Sequence, residues 1–325
     1  MRIGVLGAAR ITPTALIKPA RIVDGVEVAA VAARDRSRAE AFAARWGVPT
    51  VHDSYADLLA DPSLDAVYVP LPNGLHAQWT QAAVEAGKHV LCEKPFTANA
   101  AQARQVAAAA EATGLVVMEA FHYRYHPVAR RMAELAHGGD LGRIQRVETA
   151  MCFPLPAFSD IRYNFGLAGG ALMDAGCYAV HCLRLLATGE PTVTTAKALT
   201  SKRDGRIDRA MTAQFSLPGG GTGRIHASMW SATLLRIQAK VIGDRGTMTV
   251  INPFAPQLWS RFTVEIDGRR RRERFDSEAT YVHQLRAFAA AVRGEPTNLT
   301  PPSDSIATMS LIDDIYAAAA LPLRA

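Results

Sequence analysis

The sequence predicts an α/β fold, with a doubly wound parallel sheet in an N-terminal domain and a largely antiparallel open sheet in a C-terminal α+β domain. The chain has 325 residues, which corresponds to about two domains of roughly 150 residues each. Up to about residue 120, short apolar runs alternate with alanine-rich helical stretches, as is typical of βαβ units. Beyond that point, glycine-rich turns separate strand-like segments in pairs, which favours an antiparallel sheet.

The first domain is expected over residues 1–120 and should alternate strands with helices. Its strands are expected at Arg2–Leu6, Val26–Ala32, Thr50–Val51, Ala66–Val69, His89–Leu91 and Leu115–Met118. Its helices are expected at Pro13–Val23, Arg36–Trp46, His76–Ala86 and Ala98–Ala112. Gly25, Gly47, Gly87 and Gly114 lie at the helix exits, where glycine is favoured because the chain adopts a left-handed conformation.

The second domain is expected over residues 121–325. Packing of its last helix on the first domain is left open. Its helices are expected at Pro127–Ala136, Gly170–Leu186, Ala279–Arg293 and Ser303–Ala320. Its strands are expected at Met211–Leu217, Arg224–Met229, Arg236–Ile242 and Thr247–Val250. Asp267-Gly268 is a hairpin signal, so the basic run Arg269–Arg272 that follows it is interpreted as a solvated hairpin arm.

The composition is that of a globular protein. It is 49% hydrophobic and 20% charged, which excludes disorder and fibres, and no apolar run approaches the roughly 18 residues of a membrane span. The net charge is +6 and the pI about 9.3, but no basic stripe is interleaved with aromatic residues. We therefore expect no nucleic-acid partner and no membrane partner.

The cysteines and the amino terminus both favour a cytoplasmic protein. Cys92, Cys152, Cys177 and Cys182 form no CxxC pair, so we expect reduced packing residues rather than disulfides or structural zinc. The apolar stretch that follows Met1 is too short for a signal peptide.

A small-residue turn follows the first strand and resembles a dinucleotide fingerprint. Small side chains let the backbone approach a pyrophosphate, and the following helix start supplies N–H donors, as in a Rossmann domain. The residues of this turn are Gly7, Ala8, Ala9, Arg10 and Ile11.

The end of the second strand bears on the choice between NADP and NAD. A carboxylate there holds the ribose hydroxyl of NAD, whereas arginine accommodates the 2′-phosphate of NADP. Arg34 comes first, and Ser37 and Arg38 follow one turn later, which favours NADP. Asp35 keeps NAD open, since a rotated loop would present its carboxylate to a ribose.

Polar residues are concentrated after the later strands of the first domain, where a doubly wound sheet binds its ligand. Lys94 is informative because only six of the 36 basic residues are lysines. The candidate cofactor contacts here are Pro70, Leu71, Asn73, His76, Glu93 and Lys94. The candidate substrate contacts after the sixth strand are His122 and Arg124.

The helix after Gly169-Gly170 places Asp174, Tyr178 and His181 on one face, because they are spaced at i, i+4 and i+7. We expect Tyr178 to act as an acid–base group, helped by Lys94, because a nearby ammonium lowers a phenol pKa of about 10. Asp174 would orient Lys94 or a substrate hydroxyl. His181 is the alternative base and a substrate contact, as is Arg162.

Taken together, these motifs resemble the glucose–fructose oxidoreductase, inositol dehydrogenase and rhizopine-catabolism (Gfo/Idh/MocA) family. The residues that carry the resemblance are the Gly7–Ile11 turn, Pro72-Asn73 with His76, Glu93-Lys94-Pro95, Glu119-Ala120 with Arg124 and Pro127, and the Gly170–Tyr178 helix. The resemblance implies a Rossmann domain joined to an open sheet that members often use for dimerisation. A homo-oligomer, either a dimer or a tetramer, is therefore expected.

Many members of the family have Asp-x-x-x-His where this chain has Asp174 and Tyr178. Asp-x-x-x-Tyr is similar to the branch of dimeric dihydrodiol dehydrogenases, NADP-dependent xylose dehydrogenases and glucose–fructose oxidoreductase. That similarity implies that Lys94 and Tyr178 are the catalytic pair and that Arg34 and Arg38 meet the 2′-phosphate. The dihydrodiol dehydrogenases resemble Glu-Ala-x-Trp where this chain has His122, so the substrate stays open.

The sequence thus predicts an NAD(P)-dependent oxidoreductase, with NADP favoured. It would transfer hydride between the nicotinamide and a secondary alcohol or anomeric carbon of a sugar, polyol or cyclic diol. No metal is expected. The alternatives are a trans-dihydrodiol dehydrogenase, an enzyme that reduces an activated double bond, and a non-catalytic NADP-binding sensor or partner protein.

Overall fold

The computed structural model describes residues 1–325, and the chain divides into two compact units. The first unit comprises residues 1–125 and 279–306, and the second comprises residues 126–278 and 307–325. A single boundary near residue 120 therefore does not describe the chain. Residues 279–306 belong to the first unit because the helix Thr280–Val292 buries Leu285 and Phe288 in its core.

The first unit is built on a six-stranded sheet in the order β3-β2-β1-β4-β5-β6, and all its strand pairs are parallel. The strands are β1 Arg2–Leu6, β2 Glu27–Ala32, β3 Thr50–His52, β4 Ala66–Val69, β5 His89–Cys92 and β6 Val117–Glu119. The strand order reverses between β1 and β4. A doubly wound sheet binds ligands at the carboxyl ends of the strands at that point.

Helices accompany these strands, as the sequence predicts. They are α1 Lys18–Ala20, α2 Arg36–Trp46, α3 Tyr55–Ala60, α4 His76–Glu85, α5 Ala100–Thr113 and α8 Thr280–Val292. A π-helical turn at Pro13–Ile17 precedes α1, where the sequence predicted one continuous helix. Gly47 and Gly114 end α2 and α5 with φ of 74° and 67°, the left-handed conformation expected there.

Helix α3 was missed because its six residues are too few to show a helical period. The signal for it is Ser54, whose hydroxyl accepts a hydrogen bond from the Asp57 amide (3.0 Å), as an N-cap does. The helix packs closely on β1. A Cβ added to Gly4 would lie 2.7 Å from a methyl carbon of Leu58, so a side chain at that position of the strand would require Leu58 to shift.

The second unit is built on an eight-stranded sheet in the order β14-β13-β12-β11-β7-β10-β9-β8. The strands are β7 Ile144–Cys152, β8 Thr192–Thr200, β9 Asp208–Ser216, β10 Thr222–Ser228, β11 Arg236–Gly243, β12 Gly246–Ile251, β13 Arg261–Ile266 and β14 Arg269–Glu273. The β7–β10 pair is parallel and the others are antiparallel. The predicted hairpin at Asp267-Gly268 joins β13 to β14, with φ of 48° and 75° at the turn.

Helices α6 Pro127–His137 and α7 Cys177–Leu186 belong to the second unit, and α9 spans Pro302–Ala318. The predicted helix Gly170–Leu186 is in fact a π-helical turn, Leu172–Gly176, followed by α7. Strand β7 was missed because Thr149 interrupts its apolar face. This threonine donates to the Ala179 carbonyl of α7 (2.7 Å).

The opposite face of this sheet, which we call the open face, carries polar side chains. It includes Arg224 and His226 of β10 and Gln238 of β11, and both His226 and Gln238 pair with Ala150 of β7. Arg224 is exposed, and His226 and Gln238 are partly exposed.

None of the helices has the length and apolarity that a membrane crossing needs.

Candidate active site

The glycine turn after β1 has the conformation that the sequence predicted. Gly7 has φ of 110°, and its amide donates to the Ala32 carbonyl of β2 (2.7 Å). A Cβ at this position would lie 3.1 Å from a methyl carbon of Leu71, so a larger residue would crowd the turn. Ala8 and Ala9 are half-buried and Arg10 and Ile11 are exposed. The backbone is thus approachable by a phosphate.

At the end of β2, the structure separates the roles of the charged residues. Asp35 caps α2: its Oδ1 accepts from the Ser37 amide (2.9 Å) and the Ser37 hydroxyl (2.7 Å). The hydrogen bond from the Ser37 side chain is the main reason that the pKa of Asp35 is lowered. Arg34 and Arg38 are exposed. The carboxylate is therefore engaged in the cap, and the two guanidinium groups face solvent.

An aromatic pair that the sequence did not single out lies beside this turn. The Tyr55 and Trp79 rings meet edge to face, with centroids 4.8 Å apart. The Tyr55 hydroxyl lies 3.6 Å from the position of a Cβ on Gly7. Burial raises the pKa of Tyr55, whereas the charges of Arg34 and Arg38 lower it. The pair thus borders both the glycine turn and the two arginines.

His76 was predicted to contact the cofactor, but it is fully buried. Its Nδ1 lies 2.6 Å from the Pro95 carbonyl oxygen and its Nε2 lies 2.8 Å from that of Leu71. Burial lowers the pKa of His76 to about 4, against the opposite effect of the two carbonyl groups, and the neutral ring donates a hydrogen bond to only one of the two carbonyl oxygens. His76 therefore lies between the loops after β4 and β5, with one ring nitrogen beside a carbonyl oxygen of each loop.

The Glu93-Lys94-Pro95 segment at the end of β5 is held by buried hydrogen bonds. The Tyr68 hydroxyl donates to Glu93 Oε1 (2.7 Å), and the Phe96 amide donates to Glu119 Oε1 (2.9 Å). Burial raises the pKa of Glu93, and the charge of Lys94 opposes that effect. The peptide between Lys94 and Pro95 is cis. Lys94 itself is half-buried at the ligand-binding edge of the sheet.

His122 and Arg124 lie on a short helical turn, His122–Tyr125, after β6. His122 is buried, its Nδ1 lies 2.8 Å from the Thr280 hydroxyl, and its ring stacks on Tyr281 at a centroid distance of 4.1 Å. Burial first, and then the charge of Glu93, raises the pKa of Tyr281. Helix α8 therefore adds aromatic packing to this edge, which the sequence did not predict. Arg124 is half-buried.

In the second unit, the predicted polar face of the Gly170–Leu186 segment is buried. Asp174, Tyr178 and His181 are 9%, 7% and 3% exposed. Asp174 Oδ1 lies 3.5 Å from Arg162 Nε, and the Tyr178 ring lies 5.3 Å from that of Phe254. A salt-bridged carboxylate and a phenol thus share one helical segment, so proton transfer and hydroxyl binding are both feasible there.

Arg162 also contacts Asp160, through Nη1 at 3.1 Å. Its contact with Asp174 brings together two of the predicted site residues. Lys94 and Tyr178 belong to different units, and their encounter stays a prediction.

Comparison with known proteins gives matches across most of the chain. The model of the "Oxidoreductase family, NAD-binding Rossmann fold" matches residues 1–121, and that of the "GFO/IDH/MocA C-terminal domain" matches residues 129–249. The D-xylose 1-dehydrogenase (NADP(+)) 2 of Haloferax volcanii is 40% identical over 98% of this chain and 97% of its own. The trans-1,2-dihydrobenzene-1,2-diol dehydrogenase of Xenopus tropicalis is 30% identical over 76% of this chain and 72% of its own.

Among solved structures, a 3-ketoreductase from Actinomadura kijaniata in complex with NADP and TDP-benzene is similar. It matches with a TM-score of 0.89 and 30% identity, covering 98% of this chain and 97% of the other.

Proposed function

The chain belongs to the GFO/IDH/MocA family of oxidoreductases, and from that premise we propose that it is an NADP-dependent dehydrogenase or reductase acting on CH–OH groups. The substrate is a sugar, polyol or cyclic diol, oxidised or formed at a secondary alcohol or anomeric carbon. The observation that carries the cofactor assignment is the engagement of Asp35 in the α2 cap beside the exposed Arg34 and Arg38. NADP supplies the hydride chemistry when bound.

The residues proposed to hold NADP line the ligand-binding edge of the first sheet. The glycine turn would face the pyrophosphate, and the arginines would meet the 2′-phosphate with their planar forks. The proposed contacts are Gly7, Ala8, Ala9, Arg10, Ile11, Arg34, Ser37, Arg38, Pro70, Leu71, Asn73, Glu93 and Lys94. The aromatic pair of Tyr55 and Trp79 would border the adenosine end, because it lies beside both the glycine turn and Arg34.

The proton is proposed to be handled by Tyr178 and Lys94. Tyr178 would accept the substrate hydroxyl proton, and the Lys94 ammonium would favour the phenolate. Asp174 would orient Lys94 or a substrate hydroxyl, while Arg162 holds Asp174 in place (3.5 Å). His181 is the alternative base. His122, which is 5% exposed, and Arg124 are proposed as substrate contacts.

An aldose is the substrate we favour, because the 40% identical relative is named as a D-xylose dehydrogenase. A trans-dihydrodiol is the second candidate, supported by the 30% identical dehydrogenase. The experiment is turnover of a panel of aldoses, inositols and dihydrodiols with NADP and with NAD. We expect turnover of an aldose with NADP. Turnover of dihydrodiols alone would assign a cyclic diol instead of an aldose as the substrate. Cofactor binding without any turnover would favour a sensor.

We also propose that the protein is a cytoplasmic homo-oligomer. The open face is the surface that we propose for self-association, because the family resemblance implies that members often dimerise through this sheet. The compartment is supported by the four cysteines, which are buried thiols rather than disulfides, since disulfides are rare in reducing compartments.

A further inference from the structure

A buried ion pair lies at the start of the segment that carries Asp174 and Tyr178. Arg324 Nη2 lies 2.7 Å from Asp208 Oδ1, and both side chains are fully buried. Sequence patterns gave no signal for this pair, because its two residues are 116 positions apart in the chain. Placing two charges in the interior is costly unless further hydrogen bonds compensate them. The location of those hydrogen bonds therefore indicates what the pair does.

The compensating hydrogen bonds go to the backbone that enters the π-helical turn. Asp208 Oδ2 accepts from the Leu172 amide (2.7 Å), an amide at the start of a helix, where donors have no acceptor within the helix. Arg324 Nε donates to the Gly169 carbonyl (2.8 Å). Arg324 thus holds Gly169, and Asp208 holds Leu172, on either side of Gly170.

Two aromatic rings lie against the guanidinium group of Arg324. Arg324 Cζ lies 4.1 Å from the ring centroid of Tyr316 and 5.0 Å from that of Phe165, and both distances are within cation–π range. The Tyr316 hydroxyl donates to Asp208 Oδ1 (3.0 Å). Burial raises the pKa of Tyr316 well above its ordinary value, so the phenol remains a donor at all physiological pH values.

Gly170 connects this cluster to Asp174. It has φ of 138°, and an added Cβ would collide with Asp208, Tyr316 and Arg324. Its carbonyl accepts from the Asp174 amide (3.0 Å). The backbone at Gly170 is therefore in direct contact with the buried cluster of Asp208, Tyr316 and Arg324. The same residue accepts the hydrogen bond of the Asp174 amide. A shift of the cluster would move the helix start with it.

We propose that the Arg324–Asp208 pair is a positioning device for the catalytic segment. It fixes Gly169–Leu172 and thereby sets where Asp174 and Tyr178 lie relative to the substrate. This proposal rests on the function proposed above. Misplacement of reacting groups by about 1 Å can cost about 10²-fold in rate, so the pair acts on turnover without touching substrate. Arg324, Asp208 and Tyr316 are positioning residues in this scheme.

The test compares Arg324→Ala with Arg206→Ala in the full-length protein. Arg206 covers the same Phe165 ring (4.4 Å), but it is exposed and pairs with Asp204. We expect Arg324→Ala to lower kcat by about 10²-fold with unchanged NADP affinity, and Arg206→Ala to retain wild-type kcat. Millimolar guanidinium should restore part of the kcat of Arg324→Ala only. Wild-type kcat in Arg324→Ala would overturn the proposal.

Hydrogen exchange supplies a measurement that does not depend on turnover. In Arg324→Ala, the amides of residues 171–178 should exchange faster than in the wild type, while those of α2 and α5 in the first unit should not change. If Arg324→Ala does not fold, Tyr316→Phe keeps the ion pair and should show the same two effects at smaller size. Unchanged exchange over 171–178 in a folded variant would overturn the positioning role. Binding of NADP by the wild type without turnover of any substrate in the panel would instead overturn the proposed function.

Discussion

Arg34 and Arg38 test the cofactor assignment. Removing charge-assisted hydrogen bonds to a phosphate costs about 1.5–3 kcal/mol each, or roughly tenfold or more in affinity. We therefore expect Arg34→Ala and Arg38→Ala each to raise KM for NADP at least about tenfold, and to leave KM for NAD nearly unchanged. Steady-state kinetics with both cofactors measures this.

Arg36→Ala is the matched control for these variants, because Arg36 lies between the two and pairs with Glu40 (2.8 Å). It should keep the wild-type preference for NADP. An equal loss with NADP and NAD in Arg34→Ala and Arg38→Ala would argue against contact with the 2′-phosphate.

Tyr178 and Lys94 test the proton chemistry. Loss of a general acid–base group typically costs about 10²–10⁴-fold in rate, so Tyr178→Phe and Lys94→Met should lose at least that much while they still bind NADP. Tyr163→Phe is the control for the phenol, because the Tyr163 hydroxyl donates to the Leu155 carbonyl (2.8 Å). Near wild-type rates from Tyr178→Phe would remove it from the mechanism.

The identity of the base can be determined from the pH dependence of kcat/KM in the wild type. A limb near 6.5, the ordinary pKa of histidine, would transfer the role of base to His181. A limb at higher pH is expected for Tyr178, since even with Lys94 nearby the phenol starts from a pKa of about 10.

The sequence proposes residue roles where the type of residue suggests the chemistry. The roles of Lys94 and Tyr178, which stand out by type and position, stay predictions. The role of Asp35 depends on a hydrogen bond from Ser37, two residues along the chain (2.9 Å), whereas the sequence favoured NADP and kept contact of this carboxylate with a ribose open. The burial of His76 between two carbonyl groups also depends on how loops meet, which sequence spacing does not encode.

At the level of elements, His76 links two loops of the first unit and gives the fold a pH dependence. Its pKa is lowered from 6.5 to about 4, so below pH 6.5 the unfolded chain binds a proton that the folded chain does not. The stability that the neutral ring contributes is thus complete above pH 6.5 and is lost as the pH falls towards 4. The shift corresponds to roughly 3 kcal/mol over that window.

His76→Gln tests this linkage. The free energy of unfolding of the wild type should fall between pH 7 and pH 4 by roughly 3 kcal/mol more than that of the variant, as measured by urea denaturation. His52→Gln is the control, because His52 lies 3.2 Å from Asp61 and is not fully buried. Parallel pH curves for wild type and His76→Gln would contradict a neutral, buried ring.

The elements themselves were largely predictable, because apolar runs and glycine exits are local signals. Strands β1 and β4 and helix α2 have the expected bounds. The π-helical turns at Pro13–Ile17 and Leu172–Gly176 were not predicted, since a π-helical turn differs from an α-helix in hydrogen bonding rather than in apolar pattern. The second of them is anchored by Asp208 and Arg324, which are distant in the sequence.

For the whole molecule, the two-unit division followed from composition and pattern, but the return of residues 279–306 to the first unit did not. The assignment of residues 279–306 to the first unit depends on which of the two hydrophobic cores the apolar face of α8 packs against. A helical period shows that such a face exists and does not show where it packs. The same limit applies to His122, whose partners Thr280 and Tyr281 come from α8.

The open face of the second sheet carries the prediction about assembly. If two copies associate through this face, a bulky side chain at its centre should prevent close approach, because interface cores pack as densely as protein interiors. Gln238 lies beside Ala150 of β7, near the middle of the sheet. We expect Gln238→Trp to shift the sedimentation coefficient from that of an oligomer to that of a 35.0 kDa monomer, without loss of NADP binding. Gln78→Trp, at an exposed position of α4, controls for the added indole and should sediment as the wild type does. An oligomer that persists in Gln238→Trp would place the contact on another surface, and a monomeric wild type would exclude self-association altogether.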